Sequence, residues 1–252
     1  MFARSLLRWP LLALAALAGT TVHAAEAQIA VAANFAEPIK AIASVLQKTT
    51  GHTLKISVGA TGGLYAQIRN GAPFDVMLAA DTKTPAQLEA DGLAQPGCRF
   101  TYATGKLVLW SADAAKVDAQ GAVLKGGAFR KLALANPKTA PYGAAAVQTM
   151  EKLGLTAALT PKLVQGESIG QTYNFAFTGN AEIAFVAMSQ VLEGGRLKSG
   201  SMWVVPQTLY TPIEQGAVLL KRGANNEAAV ALMNLLKSPN IKDLIRSYGY
   251  DI

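Results

Sequence analysis

Apolar residues along this chain recur with two alternating periods, and the alternation predicts strand followed by helix, over and over. The run Gln28 to Ala33 is apolar and partly β-branched, and Ile39, Ile42, Ala43 and Leu46 then fall at the spacing of one helical face, closed by Gly51. Leu54 to Val58 predicts a second strand, entering a turn at Thr61 and a helix that carries Leu64 and Ile68. A strand over Phe74 to Ala79 and a helix opened by Thr84-Pro85 and ended at Gly92 follow. Such βα units imply parallel strands with helices on both faces of the sheet.

After Gly105 the pattern starts again. Leu107–Trp110 and Lys131–Ala135 read as strands, Gly143–Leu153 as a helix stopped by Gly154, and Leu163-Val164 as a short strand. A helix over Ile169–Phe177 leads into the apolar strand Glu182–Ala187; Met202–Val205 and Gln215–Lys221 add two strands, and helices over Glu227–Lys237 and Ile241–Tyr248 finish the chain. A restart of this kind fits two α/β lobes facing each other across a cleft, where small ligands are commonly held. The expected division is lobe I from 25–105 plus 225–252 and lobe II from 106–224, with crossings near Gly105 and Lys221 to Asn225.

The first residues stand outside this pattern. Arg4 and Arg8 precede the apolar run Trp9 to Ala18, and Val22-His23-Ala24 supplies a small-x-small cleavage site. Residues 1–24 therefore read as a secretory signal peptide, which predicts an exported, periplasmic protein; no later run offers ~18 uncharged apolar residues for a membrane span. Composition is that of a globular protein, 51% apolar and 15% charged. Without Arg4 and Arg8 the 23 basic residues become 21 against 16 acidic ones, a net charge of +5. The charges are scattered, with no basic run of the nucleic-acid-binding type. Cys98 is the single cysteine, which excludes an internal disulfide and a cysteine-based metal site.

Catalytic chemistry has little to work with. After the leader His52 is the only histidine, no Gly-x-Ser-x-Gly elbow accompanies it, and it reads as an exposed loop residue. Gly59-Ala60-Thr61-Gly62-Gly63 lacks the Gly-Lys-Ser/Thr ending of a nucleotide phosphate loop. Asp75 and Asp81 flank a strand and read as caps or interdomain hydrogen-bond partners. What does stand out is Asn34 and Thr61, each where a strand gives way to a helix. Unpaired N–H groups and the positive end of the helix dipole suit such a junction to an oxyanion.

Ala32-Ala33-Asn34-Phe35, Ala60-Thr61-Gly62-Gly63-Leu64, Gly71-Ala72-Pro73-Phe74-Asp75-Val76 with Ala79-Ala80-Asp81, Asn136 to Gly143, and Tyr248-Gly249-Tyr250 form an ordered set. In that order the chain resembles the periplasmic molybdate-binding proteins of ABC importers, over essentially all of the sequence after the leader. The resemblance implies a two-lobed periplasmic-binding fold of type II, each lobe a mixed, mainly parallel sheet flanked by helices. It implies an oxyanion held by Asn34 and Thr61 from lobe I and by the N–H groups of Tyr142 and Ile169 from lobe II, with Ala33 and Gly62 as weaker candidates. Molybdenum would be bound only as the oxyanion, without a direct protein ligand or a cofactor. The implied partners are molybdate or tungstate and a membrane permease, and the protein would act as a monomer.

Two positions depart from the family pattern: Asn34 stands where many members have serine, and Ala187 where many have tyrosine. Tyr142 stands where a small residue is common, so its phenol either takes over the missing contact or covers the ligand. A pocket built of donors suits molybdate, tungstate or sulfate, whereas hydrogen phosphate needs an acceptor for its proton. The alternatives are another oxyanion such as sulfate or thiosulfate, or an enzyme or sensor on the same scaffold.

Overall fold

A computed structural model describes residues 24–252. The leader expected over 1–24 lies outside them except for Ala24. From the N-terminus come strand β1 (Glu26–Ala32), a single 3-10 turn Ala33–Phe35, helix α1 (Ala36–Thr50), β2 (Thr53–Gly59), α2 (Thr61–Arg69), β3 (Val76–Ala79), α3 (Lys83–Ala90) and β4 (Phe100–Gly105). The second series is β5 (Leu107–Ser111), α4 (Val123–Gly126), β6 (Leu132–Ala135), α5 (Pro141–Lys152), α6 (Thr156–Leu159), β7 (Leu163–Gly166), α7 (Ile169–Phe177), β8 (Ile183–Ala187), α8 (Met188–Val191), the hairpin β9 (Leu192–Glu193) and β10 (Arg196–Leu197), and β11 (Ser201–Val204). The chain ends with β12 (Ile213–Leu219), α9 (Glu227–Leu235) and α10 (Pro239–Ser247).

Two five-stranded sheets result, ordered β2-β1-β3-β12-β4 and β11-β5-β8-β6-β7. In each, two neighbouring pairs are parallel and two antiparallel, so the sheets are mixed without the expected parallel majority. The physical reason lies in the connections. Helical crossovers enforce parallel pairs, whereas β12 enters the first sheet from the opposite direction after the chain has built the second. That entry also moves the lobe boundary. β12 pairs with β3 and β4, so the chain returns to lobe I before Ile213 and not near Lys221, and the crossings are Lys106 and the stretch 205–212.

Burial explains the placement of the elements. β1 shows apolar side chains on both faces, and Ile29, Ala30 and Val31 are wholly inaccessible at the middle of the sheet. α1 buries Ile39, Ile42 and Leu46, each stabilising by about 1.5–3 kcal/mol relative to exposure, and ends where Gly51 turns left-handed at φ 76°. Phe35 packs edge-on against Tyr102 and Tyr250, with ring centroids 4.8 and 5.6 Å away.

Three side chains differ from expectation or settle it. α3 opens at Lys83 with Thr82 before it, not at Thr84-Pro85; Asp81 caps it by accepting the Thr84 N–H at 2.7 Å. Asp75 is buried, takes the Gln28 N–H at 2.7 Å and pairs with Arg222 at 2.8 Å. His52 is buried and not exposed, because its Nδ1 accepts the Ala25 N–H at 3.1 Å and so fastens the entry to β1.

Candidate functional site

Between the lobes lies a narrow recess of about 10 Å³. Lobe I contributes Ala32, Ala33, Asn34, Gly59, Ala60, Thr61 and Ala80; lobe II contributes Ala140, Pro141, Tyr142 and Ile169. Five of the six candidates therefore meet in one place. No side chain that is charged at neutral pH lines it.

Four helical openings converge here: the 3-10 turn before α1, and the first turns of α2, α5 and α7. The first N–H groups of a helix have no acceptor within it. Among the described residues, the N–H groups of Asn34, Thr61, Tyr142 and Ile169 find no acceptor in the surrounding turns and loops either. Local sequence sets each opening. Pro141 takes the first position of α5, leaving Tyr142 to present the first N–H, and Ser168 caps α7 by accepting the Gln171 N–H at 3.2 Å, clear of the Ile169 N–H. Thr61 adds a side-chain donor. Its Oγ1 accepts the Ala80 N–H at 3.0 Å, so the hydroxyl hydrogen remains to be given.

Asn34 does not present its amide as expected. Its Nδ2 donates to Gln215 Oε1 at 2.7 Å and to Tyr250 Oη at 2.9 Å. Gln215 Nε2 in turn donates to the Ile213 carbonyl at 2.7 Å, which fixes which end of each amide is which. Both Asn34 side-chain donors are thus committed to Gln215 and Tyr250, while its Oδ1 is buried with no hydrogen-bond partner. Its backbone carbonyl accepts from Ser189 Oγ at 2.7 Å and from Tyr250 Oη at 2.9 Å, joining lobe I to α8 of lobe II.

Tyr142 is divided in the same way. The phenol packs against Gly105, at the crossing into lobe II, next to Gln215 Nε2, and its hydroxyl is buried with no hydrogen-bond partner. Ala187, where many family members carry a tyrosine, is buried in the sheet and does not line the recess. Burial pushes the Tyr142 phenol well up and that of Tyr250 to about 12, so both stay neutral. Gly62 is the candidate the structure places elsewhere. Its N–H donates across the cleft to the Thr139 carbonyl at 2.9 Å, and the residue borders a wider, open groove lined by Asp81, Lys83, Lys138 and Glu214. That groove carries both signs of charge and offers no selective field for an anion.

Sequence reasoning missed Gln215, Ser189 and the role of Tyr250. Gln215 alone carried a signal, as a polar residue inside an apolar strand.

Two lobes joined by two crossings, with helix openings from both aimed into one neutral recess, define a solute-binding protein. The chain matches, over residues 27–251, the family described as bacterial extracellular solute-binding protein. The molybdate-binding protein ModA of Azotobacter vinelandii is 57% identical over 238 residues, 94% of each chain, and that of Rhodobacter capsulatus 52% identical over 240 residues, again 94% of each. The structure of the Azotobacter vinelandii periplasmic molybdate-binding protein superposes with a TM-score of 0.87 at 41% identity, covering 90% of this chain and 99% of that one. The chain belongs to the bacterial extracellular solute-binding proteins and, within them, to the molybdate-binding ModA family.

Proposed function

We propose that this protein captures molybdate between its lobes in the periplasm, after removal of its leader near Ala24, and hands it to the membrane permease of an ABC importer. It binds its ligand without transforming it. The observation that carries the reading is the neutral recess in which helix openings from both lobes leave donors unsatisfied. The anion is held by the N–H groups of Asn34, Thr61, Tyr142 and Ile169 and by the Thr61 hydroxyl, while Ala33 lines the wall. Helix openings supply partial positive charge, so a dianion is accommodated without a lysine or arginine. Hydrogen phosphate is disfavoured because the recess has no carboxylate to accept its proton. No helix among the described residues is long and apolar enough to cross a membrane, and none of their His, Cys, Asp and Glu side chains form a group of three that could hold a metal ion.

Charge and shape are common to molybdate, tungstate and sulfate, so selection rests on size. Calorimetric titration should place tungstate within about tenfold of molybdate, a gap of ~1.4 kcal/mol, with sulfate far weaker and phosphate weaker still. Sulfate binding comparable to molybdate would turn the reading toward a general oxyanion carrier.

A further inference from the structure

A size filter made from two separate lobes works only if something fixes how far they close. Side chains are poor stops because they rotate. The structure offers a rigid one beside the recess: the backbone hydrogen bond from Gly62 N–H to the Thr139 carbonyl, 2.9 Å long, between the first turn of α2 in lobe I and the turn before α5 in lobe II. The two backbones are in contact. A methyl group placed on Gly62 would lie 3.1 Å from Thr139 Cα, 3.2 Å from its Cβ and 3.3 Å from its carbonyl oxygen. One residue on, a methyl group on Gly63 would meet nothing within 4 Å.

We propose that Gly62 and Thr139 form a closure stop that sets the width of the recess and so determines which oxyanion fits. Gly62 is a positioning residue in this role and does not touch the ligand. Its N–H, which a helix opening would ordinarily offer to the anion, is given to the opposite lobe. The glycine is required because any side chain there would hold the lobes apart by a few tenths of an ångström, an amount that matters when anions differ only in size. Thr139 acts through its carbonyl, so its side chain is not the working part.

The inference rests on the oxyanion reading, and the paired glycines separate the two. Gly63→Ala replaces an open helical glycine by the best helix former and should not lower the melting temperature, while Gly62→Ala, whose methyl presses on Thr139, is checked for folding by circular dichroism before titration. Titrated with sodium molybdate, Gly63→Ala should match the unsubstituted protein, while Gly62→Ala should bind about tenfold more weakly, the scale expected when an extra methyl is forced into a packed contact. Gly62→Ala binding within about twofold of the unsubstituted protein, or an equal loss in both variants, overturns the stop. Amide hydrogen exchange followed by NMR gives a readout independent of which anion is bound. In the unsubstituted protein the Gly62 amide should exchange more slowly than the Gly63 amide in saturating molybdate. Equal exchange at the two amides, with and without molybdate, overturns the stop even if molybdate binds tightly. Absence of binding by the unsubstituted protein, with Gly62 still protected, would instead remove the ligand reading and leave the contact standing.

Discussion

Thr61 and Tyr142 face each other across the recess, yet their hydroxyls have opposite fates. The Thr61 hydroxyl is anchored by the Ala80 N–H with its hydrogen free, whereas the Tyr142 hydroxyl lies on the back wall against Gly105 without a partner. A hydrogen bond to a charged acceptor contributes ~1.5–3 kcal/mol, so Thr61→Ala should weaken molybdate binding by roughly 10- to 150-fold in calorimetry. Tyr142→Phe removes a buried hydroxyl that bonds to nothing, and should leave affinity unchanged and the melting temperature unchanged or raised. A tenfold loss in Tyr142→Phe would mean that the phenol reaches the ligand after all. Asn34 sits between these extremes. Its side chain braces the wall through Gln215 and Tyr250, so on the proposed reading Asn34→Ala acts on binding through the placement of its backbone N–H.

At the scale of elements, the periodic pattern was a good guide where one element packs on its neighbours in sequence. α7 begins and ends at Ile169 and Phe177 as the spacing predicts, and α1 buries the face formed by Ile39, Ile42 and Leu46. The pattern carried no information where partners lie far apart in the chain. Nothing near Ile213 announces that β12 will pair with β3, and His52 looks like a loop residue until Ala25 is brought to it. The site divides along the same line. Helix openings are local and were legible at Asn34, Thr61, Tyr142 and Ile169, whereas the direction of the Asn34 amide depends on Gln215, 181 positions away.

Long-range pairing also gives the second sheet a titratable tie. Glu182, just before β8, pairs with Arg130 at 2.9 Å and accepts the Lys131 N–H at 2.9 Å, securing the entry to β6. Burial alone would raise its pKa, but the Arg130 guanidinium and the backbone N–H groups of Lys131 and Arg130 outweigh it and hold the carboxyl at about 2. A carboxyl depressed from 4.5 in this way contributes stability that is complete above about pH 4.5 and disappears as the pH falls towards about 2. Glu182→Gln should therefore melt at a lower temperature than the unsubstituted protein at neutral pH, and the difference should shrink through that acid window. An equally large difference at the acid end would show that the carboxylate charge is not what ties the strands.

For the whole molecule, the return of β12 means that the two lobes are assembled from different kinds of chain segment. Lobe II draws its sheet from one continuous stretch, β5 to β11, while the sheet of lobe I needs β1 to β4 and then β12, with Asp251 exchanging backbone hydrogen bonds with Thr104 at 2.7 and 3.0 Å. A chain emerging from its N-terminus first cannot complete the lobe it begins. Because continuous units close shorter loops, the later lobe should be the earlier to fold, and it then holds Lys106 and the 205–212 stretch as a template on which the two ends of the chain meet. Pulse-labelled hydrogen exchange during refolding should show the amides of β5, β6 and β8 protected before those of β3 and β12; the reverse order would mean that the first sheet forms without waiting for its last strand. The recess, which takes a wall from each lobe, should then be the last part of the protein to form, and a chain cut short before Ile213, although it holds every residue that lines the recess, should lack a ligand site because β12 is missing from between β3 and β4.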